Sequence, residues 1–356
     1  LKHVYRIFIF LSILLLSGAV VMAYSLKPKF GNKGINLLEN ETEKTAFEND
    51  KNKDINVFSG DEPLNVLVLG VDKSATVDMT EEQNGMRTDT IMLFTIDPKT
   101  DRVQILSIPR DTYIKIHGYG ENKVNAAFNE YVYPNGGLEL TVKTIEDFLD
   151  IEINHYAIVD YKAVVGIVDT VGGIDIEWDH PDYTYRDDWV VPPLVINLKR
   201  GINHLDGEGA VSYLRTRKAY ANQDIGRISA QQDFLMKMFD KLKTPATIFR
   251  LPSILDLIDR YVETDLNYGE ISYLAHYGLK LERENISTAT VEGRDGRATI
   301  GKDDVSIYVV SKDSARKLIT DFLEGKAELE TEEDLEESHS EDDVNNITNE
   351  NIKEAV

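Results

Sequence analysis

The sequence predicts an α/β domain, a central mixed β-sheet with helices on both faces, over residues 63–324 of a 356-residue chain. Three observations predict it. NVLVLGVD (65–72) is a short apolar run ending in turn residues, the mark of a buried strand feeding a loop. TIMLFTID (90–97) and RVQILSIPRD (102–111) are two more such runs, joined by PKTD as a hairpin-like link. HYAIVDYKAVVGIVDTVGGIDIEW then alternates strand, helix and strand, and strands mixed with helices in this way imply a covered sheet.

The elements follow in order. After the three N-terminal strands, NKVNAAFNEY and GGLELTVKTIEDFLD read as helices, the second opened by a Gly-Gly pair. Residues 156–159, 161–171 and 174–178 form the strand–helix–strand unit. Helices are expected over 207–215, 225–242 and 268–279, strands near 287–292 and 306–310, and a final helix over 311–323. No internal repeat is present.

The flanks are of another kind. Lys2 and Arg6 precede residues 7–24, eighteen residues without a charge. Such a run rises about 27 Å as a helix, close to the hydrocarbon thickness of a bilayer. Residues 1–24 therefore read as a single-pass anchor with a cytoplasmic N-terminus and an extracytoplasmic domain beyond it. The alternative is a cleaved signal peptide ending near Val21-Met22-Ala23, which the length of the run disfavours. Residues 25–62 are polar and lack periodicity, as a spacer would. Residues 325–356 carry twelve acidic residues against Lys326 and Lys353, the composition of a disordered tail, and account for about ten of the 23 net negative charges. With no cysteine, disulfides and thiolate metal sites are excluded. The acidic balance argues against nucleic acid as a partner, because phosphate-backbone affinity needs clustered cations.

Against this background three polar groups stand at element ends. Asp72 follows a buried strand, and Arg87 and Asp89 (RTDT) precede the next. Two carboxylates there are suited to Mg²⁺, although both also read as turn residues with Arg87 pairing locally. Arg110-Asp111 ends a third strand behind Pro109, a stiffened place for a phosphate clamp, or else an ordinary surface pair. Lys123 opens a helix nearby. The third group is YLRTRKAYANQDIGRISAQQ (213–232), where Asp224, Arg227 and Gln231 share one helical face and Arg215 and Arg217 arrive from the preceding helix. Asp224 is also a candidate cap for its helix. Together the arginines suffice to neutralise a pyrophosphate.

Taken with NVLVLGVD, MRTDTIMLFTIDP, VQILSIPRDTYI, NKVNAAF, GGLELTVKTIEDFL, VDTVGGIDIEW, LDGEGAVSYLRTRK and DIGRISAQQDFL, the chain resembles the LytR-CpsA-Psr family of bacterial cell-envelope proteins from about residue 64 to 324. The resemblance implies a phosphotransferase that moves a glycopolymer, such as wall teichoic acid, from a polyprenyl-pyrophosphate carrier to the C6 hydroxyl of a muramic acid in peptidoglycan. It implies Asp72 and Asp89 as ligands of Mg²⁺ (or Mn²⁺). Arg87, Arg110, Lys123, Arg215, Arg217, Arg227 and Gln231 would bind pyrophosphate. The catalytic set would be Asp224, Arg110 and Arg217, with Asp224 as acid or base. It also implies an apolar tunnel for the prenyl chain. Val164, Ile167, Val168, Leu235 and Phe239 are readable as tunnel lining or core, with core the better reading for each.

Phosphoryl transfer needs positioning and charge stabilisation rather than a protein nucleophile, so these residue types suffice. Two other readings use the same residues: a polyprenyl-pyrophosphate phosphatase, and a non-catalytic polyprenyl-phosphate-binding module. A transcription regulator fits poorly, since no helix-turn-helix signal accompanies the acidic charge. The loop YRDDWVVPP (185–193), with Trp189, is a candidate contact for the acceptor glycan on composition alone.

Overall fold

Alternation along three strands builds both faces of the sheet. In a computed structural model, which describes residues 62–71, 75–76, 88–188, 190–191 and 194–323, β1 (Leu64–Val71), β2 (Ala75–Thr76), β3 (Thr88–Asp97) and β4 (Arg102–Ser107) come first. β5 (Tyr113–Lys115) and β6 (Glu121–Lys123) lead into a 3₁₀ turn, Val124–Phe128, and then α1 (Leu138–Leu149). β7 (His155–Asp160), α2 (Tyr161–Val171), β8 (Ile174–Trp178), β9 (Tyr183–Asp187), β10 (Val190–Val191), β11 (Leu194–Leu198) and β12 (Gly201–Leu205) follow. The chain continues through α3 (Gly207–Leu214), α4 (Asp224–Leu242), α5 (Pro245–Ile248), α6 (Leu251–Tyr261), β13 (Val262–Thr264) and α7 (Tyr268–Lys280). It closes with β14 (Ile286–Thr290), β15 (Arg294–Ile300), β16 (Asp303–Val309) and α8 (Lys312–Leu323).

The central sheet runs β13-β7-β1-β3-β4-β14 and is mixed: β7 is parallel to β1 and β14 to β4, while the other pairs are antiparallel. One side chain set (Leu67, Leu69, Ile91, Leu93, Leu106) packs on Ile145 and Phe148 of α1 and Ile319 of α8. The alternate set (Val66, Val68, Met92, Phe94, Ile105) faces Leu235 and Phe239 of α4 and Tyr277 of α7. Period-two patterning thus places helices on both faces.

A second core lies beside the sheet, built on Trp178. Its ring sits edge-on to Tyr213 and Tyr220, with centroids 6.4 and 5.7 Å away, and its Nε1 donates to the Pro181 carbonyl at 2.8 Å. Val168, Ile176, Leu198, Phe234, Met238 and Ile254 fill the surroundings. α4 joins the two cores, with Phe234 and Met238 in the second and Leu235 and Phe239 toward the sheet.

Several expectations are corrected. β8 does not return to the central sheet after α2 but pairs with β12 in a separate ribbon. β16 likewise leaves the sheet and forms a hairpin with β15. NKVNAAFNEY makes one 3₁₀ turn rather than an α-helix. Its flanking residues Lys123 and Asn129 are extended, and the Asn129 side chain accepts from the Tyr131 N–H at 2.9 Å, a local competitor of helix. Asp224 does not cap α4: the cap position is Gln223, at φ 41°, and Asp224 is the first helical residue. The anchor (1–24), residues 25–61 of the spacer, the tail (325–356), Asp72, Arg87 and Trp189 lie outside the described residues. Among the described residues no helix is long and apolar enough to cross a membrane.

Candidate functional site

Register brings the charged groups to one end of the sheet. Val71 at the end of β1 pairs with Thr88 at the start of β3, and Met92 pairs with Ser107 at the end of β4. The carboxyl ends of β1, β4 and β14 therefore share an edge with the first residues of β3, the usual place for a ligand in such sheets. The β1–β3 register shifts between Gly70 and Val71, a bulge next to the site.

Each charged side chain is aimed by a local device. Beyond β4, Thr112 closes a tight turn on the Pro109 carbonyl through its N–H (3.0 Å) and its hydroxyl (2.6 Å), which presents Arg110 and Asp111. Lys123 pairs with Tyr113 across β5–β6, within reach of Asp111, and its Nζ is 2.9 Å from Asp111 Oδ1. From the other side, α4 brings Asp224 and Arg227. Gly226 is required there, since a Cβ would lie 2.4 Å from Tyr220 Cβ.

The result is a cluster of alternating charge. Arg110 donates to Asp89, and its Nε lies 3.7 Å from Asp111 and 3.9 Å from Asp224. Asp224 Oδ1 is 3.2 Å from Arg227 Nη2 and 3.6 Å from Arg217 Nη1. Among the described residues, four cations (Arg110, Lys123, Arg217, Arg227) face three carboxylates (Asp89, Asp111, Asp224). The ion pairs do not satisfy all the buried atoms: among the described residues Arg110 Nε, Arg227 Nε and Asp224 Oδ1 make no hydrogen bond. Unmatched donors buried in a cationic cluster are what an anionic ligand completes.

The electrostatics match. Burial alone would lower the Arg110 pKa, but Asp89, Asp224 and Asp111 outweigh it and hold the guanidinium above its ordinary value. Burial dominates at Arg227, which is 4% exposed; helped by Arg110 and opposed by Asp224, it brings the pKa down to about 10. For Asp111, burial is outweighed by the Lys123 hydrogen bond, the Arg110 charge and a contact with Asp224, and the carboxyl sits below its ordinary range.

Of the expected residues, the structure brings Asp89, Arg110, Lys123, Arg217, Asp224 and Arg227 together. Arg215 sits half-buried at the carboxyl end of α3. Gln231 donates to the Leu214 carbonyl at 3.2 Å and ties α4 to the turn that carries Arg215 and Arg217. Lys218 turns away, over the Tyr185 ring at 4.8 Å. Two contributors went unassigned. Asp111 reads in sequence as Arg110's surface partner, whereas it joins Lys123 to the cluster. Gln232 bonds Ser107 Oγ (2.9 Å), the Ala289 carbonyl (3.0 Å) and Thr290 Oγ1 (3.2 Å), pinning α4 to two strand ends. The doubled glutamine was its only signal.

Among the described residues no group of three or more acidic, His or Cys side chains is arranged to hold a metal. Mg²⁺ needs fewer, because it binds through one or two carboxylates, waters and substrate phosphates. Of the two expected carboxylates Asp89 is described, and its side chain, 37% exposed beside Arg110, offers that donor chemistry. Volume does not locate the site. A groove of about 1770 Å³ opens instead along Tyr113, His117, Asp147 and Arg316 and holds none of the clustered residues. The convergence of charge is the better guide, because chemistry on a phosphate requires it.

Fold and cluster define a class: an α/β protein with an arginine-rich charge cluster at its strand ends. The chain belongs to the LytR-CpsA-Psr family, whose model (LytR_cpsA_psr family) matches residues 32–322. It is 32% identical over 236 residues, 65% of this chain and 57% of the relative, to the polyisoprenyl-teichoic acid–peptidoglycan teichoic acid transferase TagV of Bacillus subtilis. It is 30% identical over 274 residues, 76% of this chain and 78% of the relative, to the TagU enzyme of the same description from Oceanobacillus iheyensis. The crystal structure of B. subtilis TagV superposes with a TM-score of 0.60 at 27% identity, covering 75% of this chain and 98% of that one.

Proposed function

We propose that the protein is a transferase that moves a glycopolymer from a polyprenyl-pyrophosphate carrier to a hydroxyl of peptidoglycan, the muramic acid C6-OH. The observation that carries the reading is the cluster of Arg110, Arg217, Arg227 and Lys123 around Asp224 and Asp111, in which the buried Nε donors of Arg110 and Arg227 are left unmatched among the described residues. The relatives' description as polyisoprenyl-teichoic acid–peptidoglycan transferases supports the substrate class. The arginines, with Arg87, Arg215, Lys123 and Gln231, hold the diphosphate. Asp224 or Asp111 takes the hydroxyl proton as the acceptor oxygen bonds to the glycan-side phosphorus. The bond from that phosphorus to the bridging oxygen breaks, and polyprenyl monophosphate leaves. Asp72 and Asp89 would hold Mg²⁺, which when bound offsets phosphate charge. The prenyl chain follows the sheet face lined by Val68, Phe94, Ile96, Leu235 and Phe239, apolar residues that remain only partly buried. Residues 1–24 keep the chain on its lipid donor at the outer face of the membrane.

The test supplies the full chain with a lipid-pyrophosphate-linked glycan, peptidoglycan and Mg²⁺. A phosphodiester-linked product and an equal amount of lipid monophosphate are expected, and both fall at least about 100-fold in Arg110→Ala. Lipid monophosphate without the linked product would make the protein a phosphatase. Tight lipid binding without either product would make it a binding module.

A further inference from the structure

We infer that the turn Thr244–Arg250 docks on an anionic lipid bilayer, inserting Ile248 and Phe249. At this turn the side chains are inside out. Thr247 is buried, 1% exposed, and shares a 3.0 Å hydrogen bond with Thr244 through their hydroxyls. Phe249, at 80% exposed, is the most exposed large apolar side chain among the described residues, and Ile248, Pro245 and Ala246 are exposed beside it. A fold that merely needed to end a helix would turn the phenylalanine in and the threonine out. Tethers at both ends keep the turn in place: Lys243 donates to the Leu281 carbonyl and Arg250 to the Thr170 carbonyl.

Charge selects the occupant. From Lys241 to Arg250 the chain carries three cations and no carboxylate, within a protein of net charge −23. The adjoining Asp240 is engaged by Arg283 at 3.4 Å. An apolar tip ringed by cations is the pattern of an interfacial membrane anchor. Position agrees. Asp224 and Leu242 open and close α4, about 27 Å apart. The cluster is at the first end, and Phe239, the last of the helix's side chains against the apolar sheet face, is at the second. Docking the second end on a bilayer leaves that face continuous with the lipid, while the charged end stays clear of it. This last step rests on the transferase reading; the docking itself does not.

The chain has no cysteine, so Phe249→Cys carries a single fluorophore, and Ile202→Cys, at a position 78% exposed on β12, is the matched control. Both full-length proteins are reconstituted into vesicles containing an anionic phospholipid. The label at 249 is expected to emit to the blue of the label at 202 and to be quenched by nitroxide-bearing lipids. Both effects should weaken in zwitterionic vesicles and at high salt. Equal lipid quenching at the two positions overturns the inference. So does a label at 249 that is shielded from aqueous iodide yet untouched by lipid quenchers, because a protein would then cover the turn. No step of the assay needs turnover: a chain that docks but does not transfer refutes the proposed function alone.

Discussion

Asp224 and Arg227 form one ion pair, yet removing either partner has opposite consequences for stability. Arg227 is 5% exposed at its side chain, and burial brings its pKa down to about 10 even with Asp224 beside it. That depression corresponds to about 3 kcal/mol of unfavourable burial. The attraction holding the guanidinium in place, at 3.2 Å and an effective dielectric of about 20, is at most about 5 kcal/mol. Asp224 is 29% exposed, so solvent reduces this to roughly 2–4 kcal/mol. Asp224→Asn strands a buried cation and should lower Tm by roughly 5–15 °C. Arg227→Met strands no charge, because Asp224 keeps Arg217 at 3.6 Å and Arg110 at 3.9 Å, and beyond the ion pair the variant gives up only a long 3.4 Å hydrogen bond to the Asp89 carbonyl. It removes the buried charge and fills the aliphatic volume, so Tm should hold or rise by up to about 10 °C.

Function should move the other way. Losing a charge-assisted donor weakens inorganic pyrophosphate binding about 10- to 100-fold in Arg227→Met. Calorimetric melts and isothermal titration of the two variants measure both quantities. If Arg227→Met melts as low as Asp224→Asn, the guanidinium is a structural element rather than a burden carried for its ligand, and the reasoning fails.

Gln223 occupies φ 41°, a conformation that costs side-chain-bearing residues about 1–3 kcal/mol, just before Asp224. Gln223→Gly should therefore raise Tm by a few degrees in a thermal melt. Gln232→Leu leaves Ser107, Ala289 and Thr290 without their common donor; it should cost about 1–3 kcal/mol and lower kcat more than it raises KM. A hydrogen bond to Asp265 raises the His155 pKa above 6.5. A raised pKa gives stability that is complete below 6.5 and lost as pH climbs through the folded-state value. The Tm difference between the protein and His155→Gln should thus be greatest near pH 5.5 and vanish at high pH.

The sheet was legible because its central strands are covered on both faces and so read as continuous apolar runs closed by turn residues, as Val66, Leu67, Val68 and Leu69 do before Gly70. The second core was not. Its ribbons β9, β11 and β12 are short and half-exposed, and β8 reads like any central strand. Nothing local says that Ile174–Trp178 pairs with a strand some 27 residues later. The site divided along the same line. Asp224 and Arg227 are one helical turn apart, and spacing alone places them together. Asp111 touches Arg110, its chain neighbour, but its tie to Lys123 runs across a two-strand register. The turn between those strands is signalled by Gly118, at φ 73°, and Gly120, whereas the contact it creates is not.

The second core also explains why the cluster can exist. A strand-end site on a sheet alone would have Asp89 of β3, Arg110 and Asp111 of the turn beyond β4, and water on its open side. Arg227 could not then be buried, and its unmatched Nε would be hydrated. The core around Trp178 seats α3, the Arg215–Arg217 turn and the start of α4 against that open side, with Tyr213 and Tyr220 packed on the indole as the wedge. Three cations thereby meet over one carboxylate, and the Nε atoms of Arg110 and Arg227 are buried without a hydrogen bond among the described residues. If the proposed function holds, a ligand carrying several negative charges regains those hydrogen bonds on entry and a neutral one does not, so that the packing of a remote tryptophan would set the charge the site selects.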